Sequence, residues 1–348
     1  MAVTAASIEQ ALAGSMPSLA RVPEPFQVLD ADGRRIGLEP DLSDDDVRSM
    51  YRWMVFGRQL DERGLQLQRQ GRLGVWGPMI GQEAAQVGLG LAMRPGDWIF
   101  PSYREAITLS MRGLALTELF AYYRGLYWPA EPTTTGAFPI QIVIGDQTLH
   151  AVGAGMGFAL QKQDRVGIAS VGDGATSEGD FLEALNFAGV FAAQTVVFVQ
   201  NNHWAISVPR TRQTRSETLA QKGLAYGVTG VLVDGNDALA VYTVCHWAIE
   251  RARRGDGPAL VEALTYRIGA HTTADDPRRY QPPDEIEDWR RRDPLPRFRR
   301  YLEERGAWDD NAEREAAQDA LARMDRAIAE AEAMPVPTLA AYIEAAGA

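Results

Sequence analysis

The segment from residue 165 to residue 199 contains two short apolar stretches on either side of a helical pattern. Residues 165–171 and 195–199 are rich in β-branched side chains and are typical of buried strands. Between them, apolar residues recur at helical spacing over residues 178–191. A strand, a helix and a strand in this order favour a right-handed crossover between parallel strands. The segment therefore predicts the α/β class, with a doubly wound, mainly parallel sheet and helices on both faces.

Polar residues follow each of the two predicted strands. Asp173 lies between two glycines directly after the first strand, and the pair Asn201-Asn202 follows the second. Because parallel strands end at the same sheet edge, Asp173 and Asn202, 29 positions apart, are expected to lie close together. Carboxylate and amide oxygens suit Mg²⁺, and a helix beginning near Ser177 would direct free N–H groups at a phosphate. Each motif alone is also common as a tight turn, but their order and spacing predict a magnesium diphosphate site.

Two longer strings, GDGATSEGDFLEALNFAGV and NNHWAISVP, resemble one protein family. That family is the alpha subunit of the decarboxylating component of 2-oxo acid dehydrogenases, from the pyruvate and branched-chain complexes. The resemblance extends over about residues 51–308. It implies the thiamine-diphosphate-binding fold, in particular its diphosphate-binding domain, and the cofactors thiamine diphosphate and Mg²⁺.

The resemblance also implies roles for residues that would contact the cofactor or its metal ion. The implied metal ligands are the side chains of Asp173 and Asn202 and the carbonyl of Trp204. The implied contacts of the diphosphate are the backbones of Gly174 and Ala175 and the side chains of Tyr103 and Arg104. The implied contacts of the aminopyrimidine, which hold the cofactor in its bent form, are Ile142 and Ile144.

His271 is the candidate catalytic residue and a further cofactor contact. It lies in the polar loop 267–277, which has no apolar face to bury it, whereas His150, His203 and His246 are expected to be structural. The loop resembles the family's mobile loop, whose histidine reaches the cofactor and serves substrate binding and acyl transfer to lipoate. Thr272 stands where animal members carry a phosphorylated serine, so regulation by phosphorylation stays open.

The segment 74–83 is the predicted substrate pocket. Gly77 stands where animal pyruvate enzymes have a histidine. The candidate lining residues are Val75, Trp76, Met79 and Ser102. An apolar lining favours a branched-chain 2-oxo acid, but one apolar residue separates such substrates by only roughly 1 to 3 kcal/mol. A pyruvate or acetoin dehydrogenase alpha subunit therefore stays open as an alternative.

Two other classes of enzyme compete with this prediction. The string Gly153-Ala-Gly-Met-Gly157 suggests a dinucleotide site of a nicotinamide-dependent oxidoreductase, but its third glycine falls one position early and the preceding residues 149–152 make a poor strand. Close packing of a helix against the sheet is the favoured use of these glycines. A Mg²⁺-dependent phosphate hydrolase could also use an Asp and Asn pair.

Composition limits the partners and the location of the chain. A net charge of −11 argues against nucleic acid, and no apolar run is long enough to span a membrane. The N-terminus lacks a basic region before its weak apolar stretch, so we expect a cytoplasmic protein. The single cysteine, Cys245, lies in an apolar setting and is expected to be a buried structural thiol.

The 348 residues predict one domain with extensions. Residues 1–45 are expected to form an N-terminal arm, and residues 46–348 the α/β domain with C-terminal helices. The family's cofactor needs a glutamate on its aminopyrimidine ring, contributed by another domain for which this chain has no room. The resemblance therefore implies a beta subunit in an α₂β₂ heterotetramer, and a lipoyl acyltransferase component as a further partner.

Overall fold

A five-stranded parallel sheet forms the centre of the molecule, whose computed structural model describes residues 5–15, 22–126 and 135–346. In space, the strands run in the order β1 (Trp98–Phe100), β2 (Gly167–Gly172), β3 (Thr195–Asn201), β7 (Ala259–Leu264) and β6 (Thr229–Asp234). Each neighbouring pair is parallel. The remaining strands, β4 (Trp204–Ala205) and β5 (Val208–Pro209), form a short antiparallel hairpin after β3. The predicted α/β class and parallel sheet are confirmed.

Helices cover both faces of the sheet. In chain order they are α1 (Ala5–Leu12), α2 (Asp44–Arg69), α3 (Glu83–Ala92), α4 (Ala106–Met111), α5 (Leu116–Tyr123), α6 (Asp146–Leu160), α7 (Gly179–Phe191), α8 (Arg210–Gln213), α9 (Ala238–Arg253), α10 (Pro283–Arg290), α11 (Pro294–Glu304), α12 (Asp310–Ala333) and α13 (Leu339–Ala346). Alternate residues of β3 enter two separate cores: Val196 and Phe198 join the core of α2, α3 and α9, whereas Val197 and Val199 join that of α6 and α7. The sheet is therefore doubly wound.

The spacing of apolar residues predicts helices over residues 108–123 and 153–161, and the structure differs from both predictions in the boundaries. The continuous helix expected over residues 108–123 is divided into α4 and α5, because Gly113 adopts a φ of +96° and the Leu114 N–H bonds back to the Leu109 carbonyl. The strand β1 follows directly after Asp97 and was not predicted, since its three residues are too few to show an alternation.

The helix expected from residue 153 begins seven residues earlier, as α6 (Asp146–Leu160). The glycines of the GAGMG string therefore lie inside a helix and not at a strand-to-helix turn, which removes the structural basis of a dinucleotide fingerprint. A Cβ added at Gly155 would approach the Thr195 Oγ1 to 2.1 Å. This glycine allows α6 to pack closely against the start of β3.

The N-terminal segment is anchored to the edge of the sheet. Phe26 forms a parallel bridge with Val233 of β6, and a turn at Gly33 brings Leu29 and Arg35 together as a short hairpin. Ser43 then caps α2 and forms the expected capping box with Asp46. The division into an arm of residues 1–45 and a domain of residues 46–348 stays a prediction, and residues 1–4 and 16–21 lie outside the described part.

Other expectations concern single features. Cys245 is fully buried in α9, as expected, and burial raises the pKa of its thiol. Within the described ranges, none of the helices has the length and apolar character to cross a membrane. The cytoplasmic location itself stays a prediction.

Candidate active site

The carboxyl ends of β2 and β3 bring Asp173 and Asn202 to one point of the sheet edge. Gly172 is paired with Gln200 in the parallel register, and the two polar residues follow directly beyond this pair. Asp173 begins the 3₁₀ turn Asp173–Ser177, and its side chain is almost fully buried. The sequence-based expectation that these residues converge agrees with the sheet register.

Asp173 is a buried carboxylate whose polar partner is neutral. Its Oδ2 accepts a hydrogen bond of 2.7 Å from the Gln213 side chain. Burial raises its pKa above the ordinary value, and the hydrogen bond from Gln213 only partly opposes this. A cation would offset the cost of the buried charge, so the residue fits a Mg²⁺ ligand. In the described part of the chain there is no cluster of three or more His, Cys, Asp or Glu side chains, and a metal here would also need amide, carbonyl or phosphate oxygens.

Asn202 and Trp204 have partners that bear on this metal hypothesis. The Asn202 Oδ1 accepts from the Trp204 N–H at 3.3 Å, and its Nδ2 donates to the Gln82 Oε1 at 3.1 Å. The Trp204 carbonyl accepts from the Arg267 guanidinium at 3.1 Å, which leaves one lone pair for another partner. Asn202 is therefore well placed as a ligand, whereas Arg267 weakens the electrostatic case for the Trp204 carbonyl.

Gly174 and Ala175 form the turn between β2 and α7. A Cβ added at Gly174 would come within 2.9 Å of the Ala205 Cβ, so the close approach of the turn to β4 requires glycine. Ala175 is buried in the core of α6 and α7. Both residues line the same cavity as Asp173, which agrees with the backbone contacts that the resemblance implies.

Tyr103 and Arg104 approach the site from the loop after β1. The Arg104 guanidinium donates to the carbonyls of Pro78 and His271, the latter at 3.0 Å, and lies over the Tyr103 ring. Tyr123 fixes the loop by donating to the Tyr103 carbonyl at 2.7 Å. Arg104 and Arg124 both line the cavity, and Arg104 has further N–H groups for an anionic ligand.

His271 lies against Tyr103 and Arg104 and is half-buried in the loop. Its Nδ1 is 3.4 Å from the Arg104 Nη2 and 3.5 Å from an Arg267 nitrogen, and its Nε2 is 3.4 Å from the Tyr103 hydroxyl. Burial, followed by the charges of Arg104 and Arg267, lowers the pKa of His271 to about 4. A guanidinium only donates, so the neutral ring accepts at Nδ1 and carries its proton on Nε2. From the sequence we expected the loop to have no face that buries His271, whereas the structure packs the ring against Tyr103 and Arg104.

A cavity of about 880 Å³ joins these groups. The predicted site residues that line it are Val75, Ser102, Tyr103, Arg104, Ile142, Ile144, Asp173, Gly174, Ala175, Asn202, Trp204 and His271. Ile142 and Ile144 are 61% and 38% exposed, which is unusual for isoleucine and is consistent with contact to an apolar ligand group.

Two predicted pocket residues, Trp76 and Met79, do not line the cavity. Both are buried, Trp76 against Tyr123, and the Trp76 indole donates to Asp61 at 2.7 Å while the Met79 N–H donates to the same carboxylate at 3.0 Å. The apolar pattern of residues 74–83 correctly showed burial, but it could not distinguish a residue facing the cavity from one packed behind it. Trp76 and Met79 support the wall formed by Val75 and Gly77.

Four buried polar residues of the cavity were not identified from the sequence: Gln82, Glu105, Gln147 and Gln200. Glu105 accepts hydrogen bonds from the Ser170 hydroxyl at 3.2 Å and from the Gln200 side chain at 3.0 Å, and burial raises its pKa to about 7. A glutamine in a buried apolar strand, two positions before Asn202 on the same strand face, was the available signal for Gln200. Gln82 and Glu105 precede helices and resemble ordinary exposed residues in the sequence.

Taken together, the doubly wound sheet and the Asp–Asn pair at its carboxyl edge define an α/β protein with a cavity suited to a charged ligand. The chain belongs to the dehydrogenase E1 component family, whose model matches residues 51–340. This family depends on thiamine diphosphate.

Two relatives illustrate the range of the family. Over 294 residues the chain is 47% identical to the "3-methyl-2-oxobutanoate dehydrogenase subunit alpha" of Mycobacterium tuberculosis. The aligned region covers 83% of this chain and 80% of the relative. Over 327 residues it is 43% identical to the "Pyruvate dehydrogenase E1 component subunit alpha" of Staphylococcus aureus, with 92% and 88% covered.

Proposed function

We propose that this chain is the alpha subunit of a 2-oxo acid dehydrogenase that acts on a branched-chain 2-oxo acid with thiamine diphosphate and Mg²⁺, and passes the acyl group to a lipoyl domain. The convergence of Asp173, Asn202, Arg104 and His271 on one cavity is the observation that carries the proposal. Asp173 and Asn202 form the metal half of the site, Arg104 supplies a cation and His271 a titratable group. The family to which the chain belongs depends on this cofactor.

Each of these cavity residues has a proposed role that follows from its position. Asp173 and Asn202 would hold the metal ion, with Arg104 and the turn at Gly174 and Ala175 on the diphosphate. Ile142 and Ile144, which line the same cavity, would support the ring system. Bound thiamine diphosphate supplies the electron sink for loss of CO₂ from a 2-oxo acid. The other residues of the cavity would bind and orient the cofactor and the substrate, and would exclude water.

His271 is the residue of this chain that we assign to substrate binding and acyl transfer. Its ring is neutral at pH 7 and presents an N–H at Nε2. Tyr103 and Arg104 fix the ring from two sides, at 3.4 Å each. A fixed neutral N–H would donate a hydrogen bond to a lipoyl sulfur as the disulfide opens.

A beta subunit is the partner that would complete the site. Two glutamates of this chain line the cavity, Glu105 and Glu178, but they neighbour Arg104 and the turn Asp173–Ser177, which we assign to the diphosphate. The glutamate for the aminopyrimidine would then come from the partner chain. The structure offers an apolar surface for such a partner, formed by the exposed Leu160, Phe187, Val190 and Phe191 beside the open Gly153 and Gly157.

The preference for a branched-chain substrate rests on space and polarity. A Cβ at Gly77 would meet the Arg104 guanidinium at 3.4 Å and the Tyr103 ring at 3.5 Å, so the glycine leaves this corner open. Val75 adds an exposed apolar surface beside it. Pyruvate is the second candidate, because the chain also resembles the pyruvate-named relative over most of its length.

Cofactor titration of the complex co-expressed with a beta subunit tests the proposal. Asp173→Ala should abolish Mg²⁺-dependent binding of thiamine diphosphate in calorimetry, while the exposed Asp180→Ala should bind as wild type does. Steady-state rates with 3-methyl-2-oxobutanoate should exceed those with pyruvate. Unchanged affinity in Asp173→Ala would refute the metal assignment, and a preference for pyruvate would refute the substrate assignment alone.

A further inference from the structure

The amide of Asn202 can present either its oxygen or its nitrogen to the cavity, because the two ends have nearly the same shape. Only the oxygen can bind a metal ion. The Trp204 N–H donates to the Oδ1 at 3.3 Å, which is a long contact, and the Gln82 Oε1 accepts from the Nδ2 at 3.1 Å. The choice between the two orientations is therefore made by these neighbours.

Gln82 is held on a rigid element. It precedes α3, and its N–H donates to the Met79 carbonyl at 2.9 Å. The next residue, Glu83, is fully buried and paired with Arg58 at 2.6 Å. A side chain that orients a ligand needs such support, because the orientation it imposes is only as fixed as its own position.

The second amide atom of Gln82 has no hydrogen-bond partner among the described residues. The Nε2 is a buried donor of a residue that lines the cavity, and Gln82 itself is completely buried. A buried donor without a partner costs roughly 1–3 kcal/mol, so such atoms are rare unless a ligand or water satisfies them. An oxygen of a bound anion, or of a metal-bound water, is the chemical group that would do so.

We infer that Gln82 is a positioning residue of the metal half of the site: its Oε1 holds the Asn202 amide with the oxygen towards the ligand. This inference rests on the proposed function, since it assigns a role in binding the diphosphate and its metal ion. Gln82 acts through Asn202, and its free Nε2 would be satisfied by an oxygen of the ligand once the ligand is bound.

Two substitutions separate this role from simple packing. Gln82→Met keeps the length of the side chain but removes the acceptor, whereas Gln82→Glu keeps an acceptor for Asn202 and loses the donor. Gln194→Met is the matched control, because Gln194 is also buried and bonded to two carbonyls but lies at the amino end of β3. All variants are made in the complex with the beta subunit.

Binding of thiamine diphosphate is measured by calorimetry over a series of Mg²⁺ concentrations, with inorganic pyrophosphate as a second probe. Gln82→Met should weaken both affinities by about 10- to 100-fold and raise the Mg²⁺ concentration for half-saturation, the range known for residues that orient metal ligands. Gln82→Glu should weaken both affinities less than Gln82→Met does, because it keeps the acceptor for Asn202 and loses only the donor to the ligand. Gln194→Met should match wild type in both probes.

The outcomes are distinguishable. Equal binding by Gln82→Met and wild type, or equal weakening in Gln82→Met and Gln82→Glu, would overturn the orienting role while leaving the proposed function intact. A wild-type complex that binds neither probe would overturn the proposed function and this inference together. If a variant fails to fold, thermal unfolding of the cofactor-free complex shows it, and Gln82→His, which retains an acceptor nitrogen, takes its place with the same expected recovery.

Discussion

At the scale of single residues, the site is dominated by groups whose charge is set by burial. His271 is neutral because burial and two guanidinium groups oppose its protonation. Glu105 holds its proton near neutral pH because burial outweighs its hydrogen bonds. Both effects keep net charge low beside Arg104, which leaves that cation free to attract an anionic ligand.

The neutral state of His271 leads to a prediction about the two halves of the reaction. His271→Ala should still bind the cofactor and decarboxylate slowly with an artificial electron acceptor, but it should fail to acylate a lipoyl domain, because that step needs a donor at Nε2. Both assays are run on the co-expressed complex. His246→Ala serves as the control, since His246 packs against Tyr242 on α9 away from the cavity. An equal fall in both assays would restrict His271 to binding.

Glu105 predicts a dependence of stability on pH. Its folded-state pKa of about 7 lies above the ordinary value of 4.5, so the folded protein binds more protons than the unfolded chain between these values. The free energy of unfolding should therefore fall as pH rises from about 4.5 to about 7, by roughly 3 kcal/mol at most, and change little above.

Denaturant unfolding of the cofactor-free complex at pH 5, 6, 7 and 8 measures this dependence. In Glu105→Gln, which cannot ionise, the fall should be smaller, so that the variant gains on wild type as pH rises. The exposed Glu304→Gln should follow the wild-type curve. Parallel curves for wild type and Glu105→Gln would show that the Glu105 carboxyl keeps an ordinary pKa.

At the scale of elements, the sequence predicted the central strand–helix–strand unit well because its signals are local. The β-branched runs of β2 and β3 and the helical spacing of α7 need no knowledge of the rest of the chain. The short β1 depends on pairing with the distant β2 and was missed, and the break at Gly113 was missed although a glycine is a local signal. The reach of local signals also decided which site residues were predicted. Asp173 and Asn202 follow strands and were found, whereas Gln82 and Glu105 reach the cavity only through the folding of distant segments.

Packing between α6 and β3 gives a prediction at this scale. Gly155→Ala should lower the free energy of unfolding by about 1–3 kcal/mol, because its Cβ would approach the Thr195 Oγ1 to 2.1 Å and the Gln194 carbonyl to 2.7 Å. Gly179→Ala is the control, since no atom lies within 4 Å of its added Cβ. Denaturant unfolding of the complex compares them. A Gly155→Ala variant as stable as Gly179→Ala would mean that α6 moves away from the sheet at little cost.

At the scale of the whole molecule, the structure presents an apolar surface at the carboxyl ends of α6 and α7. The exposed residues Phe187, Val190 and Phe191 lie on the outer side of α7, next to the exposed Leu160 at the end of α6. Exposed apolar side chains grouped on adjacent helices are typical of an interface with another chain. Because the other end of α7 follows the turn Asp173–Ser177, a chain bound along the whole of this helix would also reach the ligand.

We expect both assembly and activity to depend on this surface. Val190→Lys should prevent or weaken assembly with a beta subunit in light scattering and should remove 2-oxo acid decarboxylation, because a lysine placed in the interface loses its hydration without a partner. Val336→Lys is matched to it, since Val190 and Val336 are 70% and 79% exposed. It should assemble and react as wild type does.

The chain alone should be inactive and self-associated. Decarboxylation by the isolated chain would show that Glu105, Glu178 or another acid of this chain activates the cofactor, and that no partner is needed to complete the site.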